Sequence, residues 1–251
     1  MIARGDFVLL RGAGGREYFV TVKDGKLHTD LGTVELKQLE GLEWGSMVES
    51  HLGKPFAVLK PRAPDFFKHI KRTGAPMMPK DIGAIIAYTG ICPSDVVLDA
   101  GTGSGVLAIY LGTIAKKVIS YEVNEQFVEV ARKNVARAGL SNVEVRHGDV
   151  LKELYEADIG AEGPFDVVTL DMQGSDEAAG GAHDVLKPGG FLATYSPFFE
   201  QAASTRRAIE RAGFPEYDTI ILGEQELEVG KQGTRPSTRV GHTGFITIAR
   251  K

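Results

Sequence analysis

Short apolar runs alternate with glycine turns and amphipathic stretches along the 251 residues. Phe7–Leu10, Glu17–Val22 and Val34–Leu36 read as short strands, parted by Gly12-Ala13-Gly14-Gly15 and by Asp24-Gly25. Such strands with glycine turns suit a small N-terminal β-barrel domain over residues 1–55. A connector over 56–90 carries helix signals near Asp65–Lys71, then a helix from Lys80 to Tyr88 behind Pro79. From 91 to 251 the pattern changes to strand, helix, strand. Val96–Leu98, Val143–His147, Phe165–Leu170 and Phe191–Ala193 are apolar or alternating runs of strand length. Helices are expected near 104–113, 124–138, 175–186 and 200–212; Phe127, Val130, Ala131, Val135 and Ala138 fall on one face of the second. Thr219–Leu222 and Gly244–Ala249 read as two last strands, and the polar stretch 223–242 between them as a substrate loop or a disordered one. Strands alternating with helices predict an α/β domain with a mostly parallel, Rossmann-like sheet.

The most informative stretch is Asp99-Ala-Gly-Thr-Gly-Ser-Gly105, a tight glycine turn between a buried strand and a helix start. Glycines there let backbone approach a ligand closely, and a helix start adds free N–H donors. The next strand ends in Glu122, 17 residues beyond Gly105, where a carboxylate can accept both hydroxyls of a ribose. Two nucleotide cofactors compete. A dinucleotide site takes G-x-G-x-x-G. Gly101, Gly103 and Gly105 are instead spaced G-x-G-x-G, with Asp99 two residues ahead. An acid there would repel a diphosphate and suits S-adenosylmethionine, which carries an ammonium and a sulfonium. The pattern resembles the first motif of Rossmann-like methyltransferases. Asp149 and Asp171 follow at the ends of the third and fourth strands, Asp149 placed to accept the exocyclic amine of adenine. Strand ends of an open α/β sheet gather at one edge, where ligands bind.

Composition narrows the setting. Cys92 is the only cysteine, which excludes an intrachain disulfide and a cysteine zinc cluster and fits a reducing cytoplasm. No apolar run approaches a membrane span, and no metal set is apparent. Net charge is −4, yet residues 51–80 hold seven Lys or Arg and one acid, and residues 229–251 hold five and none. Phosphate backbones are bound by local basic surface rather than by net charge, so a nucleic-acid partner stays open.

Further segments carry a resemblance over almost the whole chain. They are His28-Thr29-Asp30-Leu31-Gly32, Ser50-His51-Leu52-Gly53, Lys60-Pro61-Arg62, Met78-Pro79-Lys80-Asp81, Arg235-Pro236 and Gly241-His242-Thr243-Gly244-Phe245. Together with the cofactor turn they resemble the tRNA adenine-N1 methyltransferases of the T-loop, in their homotetrameric bacterial and archaeal form. The resemblance implies S-adenosylmethionine as donor, S-adenosylhomocysteine as product, a homotetramer, and a target adenine at position 58, with its neighbour 57 also open. It assigns cofactor contacts to Ser104, Gly105, Val106, Leu107, Glu122, Asp149 and Asp171, and makes Asp171 the catalytic aspartate. The chain departs from its relatives in two places. Met78 stands where Tyr or His often precedes Pro-Lys-Asp, and Met172-Gln173-Gly174, without proline, follows Asp171.

Methyl transfer from a sulfonium is an in-line displacement that asks for positioning and electrostatics rather than a metal. Adenine N1 is a weak nucleophile, and a carboxylate accepting from the N6 amine draws density toward it; Asp171 is the candidate. The target base must leave its stack to be reached. Phosphate contacts that hold the tRNA meanwhile are expected from Lys80, Arg235 and Arg239, and less firmly from Lys68, Lys71 and Arg72. Met78, His242 and Thr243 are candidates at the target base. Two other functions fit parts of the sequence. A methyltransferase for a small molecule or a protein would not need the basic segments. A non-catalytic RNA-binding subunit would be expected to lose the glycine turn or the strand-four acid.

Overall fold

The computed structural model describes residues 1–155, 159, 162–230, 233–237 and 242–251. The chain divides into two compact units: Met1–Lys71 with Ala136–Gly139, and Arg72–Val135 with Leu140–Lys251.

In the first unit β1 (Phe7–Gly12), β2 (Glu17–Thr21), β3 (Lys26–Thr29), β4 (Gly32–Glu35), β5 (Met47–Glu49) and β6 (Pro55–Leu59) precede a short helix, α1 (Ala63–His69). Alternation along β1 and β6 sends Val8, Leu10, Phe56 and Val58 inward, each without exposed surface, onto Val34 and Leu39. Burying each such side chain contributes roughly 1.5–3 kcal/mol. The sheet order is β2-β1-β6-β5, all antiparallel, while β3 and β4 pair only with each other. No closed barrel is found among the described residues, which corrects the barrel expected from the strand pattern. Closure needs the edge strands to pair. β5 is three residues long, and the β3–β4 hairpin does not bridge the gap. β6 also belongs to this sheet, so the unit runs past the boundary expected at residue 55.

The second unit starts with α2 (Pro79–Thr89) and continues through β7 (Val96–Ala100), α3 (Val106–Gly112), β8 (Lys117–Glu122), α4 (Glu125–Arg137), β9 (Val143–His147), α5 (Val150–Glu153) and β10 (Phe165–Leu170). It ends with α6 (Ser175–Val185), β11 (Leu186–Ser196), α7 (Phe199–Arg211), β12 (Glu216–Ile221), β13 (Leu227–Gly230), β14 (Gly233–Pro236) and β15 (Phe245–Arg250). The four expected helices lie within one or two residues of their predicted limits. The expected loop 223–242 instead contains an exposed two-stranded ribbon, β13–β14.

Seven strands form one sheet in the order β12-β15-β11-β10-β7-β8-β9. Pairs from β11 through β9 are parallel, and β15 alone runs against both of its neighbours. Leu98, Ile119, Val168 and Leu192 form the middle of the core. The small side chains Ala178, Ala179 and Ala182 let α6 lie close on it. After β9 the chain returns to place β10 on the other side of β7. That reversal opens a crevice at the carboxyl ends of β7 and β10, the place where open α/β sheets hold ligands.

Candidate active site

The crevice is a cavity of about 510 Å³, within the range of small-molecule sites. Its floor is the glycine turn. The Gly101 N–H donates to the Tyr121 carbonyl at 3.0 Å, and the Gly105 N–H closes the turn onto the Thr102 carbonyl at 2.8 Å. Gly101 has a φ of +87°, and a Cβ built on it would lie 2.0 Å from the backbone oxygen of Asp171. Only a glycine lets the two loops pass so closely. Gly103 has a φ of +56° and lines the cavity, and a Cβ built on it would meet its nearest neighbours, the Gly101 carbonyl and the Thr73 hydroxyl, at an ordinary 3.8 Å.

Glu122 ends β8 at the cavity wall and is buried. One of its carboxylate oxygens accepts from the Gly103 N–H at 2.9 Å, the other from the Asn124 N–H at 2.9 Å. Each oxygen keeps a lone pair for a further donor. Asp149 lines the same cavity while its Oδ1 caps α5, accepting from the Leu151 N–H at 3.2 Å. Ser104, Val106 and Leu107 complete that side, with Asn134 holding the Ser104 carbonyl at 2.8 Å. These groups fit S-adenosylmethionine: backbone without side chains where the ligand must come close, and an acid at the second strand end for the ribose.

Asp171 follows β10 and lines the same cavity as Glu122. Its N–H donates to the Ala100 carbonyl at 2.9 Å, which fixes the backbone beside the glycine turn. Among the described residues no group donates a hydrogen bond to its carboxylate. Burial first, then the negative charges of Asp99 and Asp81, push its pKa up to about 7. At neutral pH it is therefore a carboxyl poised between its two protonation states.

Other expected residues stand elsewhere. Asp99 does not line the cavity, which corrects the contact with the cofactor's positive charge expected of it. It sits in register with Ser120 of β8 and Thr169 of β10, and accepts hydrogen bonds from both hydroxyls, the second at 2.6 Å. Burial raises its pKa, and the two hydrogen bonds oppose the rise. Gly105 likewise faces away, packing at the start of α3 against Ala131 of α4. Met78 is exposed at the start of α2, whereas its neighbour Met77 is buried and lines the cavity. Lys80 is not free to grip a phosphate. Its ammonium is 2.6 Å from Asp81 Oδ1 and donates to Thr243 Oγ1 at 2.7 Å, with the side chain 13% exposed. Arg235 stands on β14, paired across the ribbon with Glu228 at 3.0 Å. The exposed His242 has Nε2 3.3 Å from the Pro197 carbonyl and its ring beside Phe245. Arg239 lies outside the described residues.

Sequence reasoning missed part of the cavity wall. The segment from Thr73 to Met77 lines it, as do Tyr121 and Phe127. It also missed Tyr195 near the end of β11, whose ring packs on Gly244: a Cβ there would be 2.4 Å from the ring. Its position beside a strand end was the available signal.

Residues 68–235 match the family described as tRNA methyltransferase complex GCD14 subunit. The chain is 35% identical to a tRNA (adenine(57)-N(1)/adenine(58)-N(1))-methyltransferase from Methanocaldococcus jannaschii, over 97% of this chain and 94% of that protein. It is 33% identical to a tRNA (adenine(58)-N(1))-methyltransferase from Thermus thermophilus, over 97% and 96%. Among solved structures, a SAM-dependent O-methyltransferase from Thermotoga maritima superposes with a TM-score of 0.84 at 27% identity, covering 100% of this chain and 94% of the other. The tRNA (m1A58) methyltransferase of Aquifex aeolicus shares the fold with a TM-score of 0.76 at 23% identity, covering 100% and 98%. With its glycine turn, its strand-end acids and these likenesses, the chain belongs to the GCD14 family of tRNA methyltransferases.

Proposed function

We propose that the protein transfers a methyl group from S-adenosylmethionine to N1 of adenine in the T-loop of tRNA, at position 58 or at 57 and 58. One observation carries the assignment of Asp171: a carboxylate on the cavity wall, against the glycine turn, with no donor among the described residues. Bound S-adenosylmethionine supplies an electrophilic methyl. Glu122 holds the ribose hydroxyls and Asp149 the adenine amine of the cofactor. Asp171 accepts a hydrogen bond from N6 of the target base in its ionised form. That bond orients N1 and stabilises the positive charge that develops on the ring as it is alkylated, an interaction stronger in the transition state than before it. Positioning of the two reactants can supply on the order of 7–11 kcal/mol of the barrier.

Substrate grip is assigned to basic groups outside the cavity, with Arg235 and Arg239 the candidates. His242 and Thr243 sit just before β15 and are candidates beside the target base. The assembly proposed is a homotetramer, which light scattering on the purified protein tests. Among the described residues no helix is long and apolar enough to cross a membrane, and no group of side chains could hold a metal ion. The deciding experiment incubates the protein with an unmodified tRNA transcript and labelled S-adenosylmethionine, then maps the label by nuclease digestion. Transcripts with single T-loop adenines replaced are run alongside. Label that vanishes when adenine 58, or 57 and 58, is replaced is the expected result. No label in RNA overturns the reading.

A further inference from the structure

Lys80, Asp81 and Thr243 form a closed triangle of hydrogen bonds, although 162 residues separate Asp81 from Thr243. Asp81 has no exposed surface. Its Oδ1 accepts from the Lys80 ammonium at 2.6 Å and its Oδ2 from the Thr243 hydroxyl at 2.8 Å, while Lys80 also donates to that hydroxyl at 2.7 Å. A buried ion pair is weak evidence for stability, because desolvating both charges offsets most of their attraction. Anchoring α2 needs no charge at all: it lies against β15 and β11, and its Ile82 and Ile85 are buried. The placement points elsewhere. Thr243 immediately precedes Gly244, on which the Tyr195 ring rests, and the charge of Asp81 is felt by both Tyr195 and Asp171.

We propose that Lys80, Asp81 and Thr243 are positioning residues for methyl transfer: the ion pair sets the electrostatic surroundings of Asp171, and Thr243 ties the segment entering β15 to that pair. The proposal rests on the reading of Asp171 as the acceptor of the N6 hydrogen bond. The charged or titratable groups near Asp171 are Asp99 from β7, Asp81 from α2 and Tyr195 from β11, with Glu122 and Asp149 on the wall of the same cavity; Lys80 acts through its pair with Asp81. Asp81 raises the pKa of Asp171, and Lys80 in turn compensates Asp81.

The test is the acid limb of the pH profile of kcat/KM for tRNA methylation, where activity falls as Asp171 is protonated. Asp81→Asn removes a negative charge, so the limb moves to lower pH. Lys80→Met leaves Asp81 uncompensated, so the limb moves to higher pH. Each single variant strands a charge of the pair, a known cause of unfolding, so Lys80→Met/Asp81→Asn is measured as well; without Asp81 its limb again moves down. Thr243→Val keeps both charges and loses rate, which Thr243→Ser restores. Calorimetry with S-adenosylhomocysteine verifies that each variant measured is folded. Opposite shifts for the two single variants, or a downward shift in the double variant if a single one does not fold, support the proposal. Limbs that stay put in variants that bind S-adenosylhomocysteine, or that move the same way in the two single variants, overturn it. Asp171→Asn separates the two failures: if it still methylates tRNA, the reading of Asp171 is wrong; if it is inactive and the limbs stay put, only the triad is.

Discussion

Replacing Gly101 by alanine tests how the two loops of the site are held together. Two costs follow from the structure. The residue has a φ of +87°, and placing a side chain on left-handed backbone costs about 1–2 kcal/mol. The new methyl would also lie 2.0 Å from the carbonyl oxygen of Asp171 and 2.7 Å from its carbon, both backbone atoms of a strand end that cannot rotate away. Relief requires the loops to part by on the order of 1 Å, and overpacking of that kind costs about 1–3 kcal/mol. The same displacement moves Asp171 relative to the cofactor, and a shift of about 1 Å can cost on the order of 100-fold in rate. Gly103→Ala is the control. Its φ of +56° carries a similar backbone strain, but its nearest neighbours stand 3.8 Å away. Chemical denaturation, calorimetry with S-adenosylhomocysteine and the tRNA methylation rate are measured on both. Gly101→Ala is expected to be the less stable by about 1–3 kcal/mol and to lose nearly all activity. Because Gly103 itself lines the cavity, stability is the deciding comparison: if the two variants match in it, the close approach does not matter and the reasoning fails.

Glu122→Gln should weaken S-adenosylhomocysteine binding by about 1.5–3 kcal/mol, on the order of 10- to 100-fold, since an amide replaces an ionic acceptor; unchanged affinity in calorimetry assigns the ribose to another acid. Asp171 has a folded pKa of about 7, above its value in the unfolded chain, so the native state holds the proton longer and wild-type stability falls as pH rises from about 4 to 7. Asp171→Asn does not titrate and should gain up to about 3 kcal/mol relative to wild type across that window; parallel denaturation curves at pH 5 and pH 8 would contradict the raised pKa. Arg235→Ala breaks an exposed pair of little worth to stability, but should lower the salt slope of tRNA binding by about 1 if Arg235 meets a phosphate.

Much of the second unit was legible because its signals are local. The run Val96–Leu98, the glycine turn and the apolar face of α4 each occupy one stretch of chain, and each lies where the periodicity predicts. Glu122, Asp149 and Asp171 line one cavity for the same reason, being strand ends of a parallel sheet. Asp99 misled because it is still inside the sheet. Two residues before the turn, its side chain keeps register with Ser120 and Thr169 rather than reaching the edge. The engagement of Lys80 was not legible at all, since its partner Thr243 is 163 residues away and nothing in the local pattern encodes the pairing. The barrel failed for a related reason: strand number and length were readable, but which edges meet depends on pairing between distant segments.

One reversal in chain direction has a wider consequence. Because β15 enters the sheet against its neighbours, it delivers its beginning, not its end, to the rim where β7, β8 and β10 finish. The stretch between β12 and β15 is thereby moored at both ends in finished sheet. Within it the exposed ribbon β13–β14 contributes nothing to the lining of the donor cavity, so adaptation to different RNA acceptors has a place to happen there.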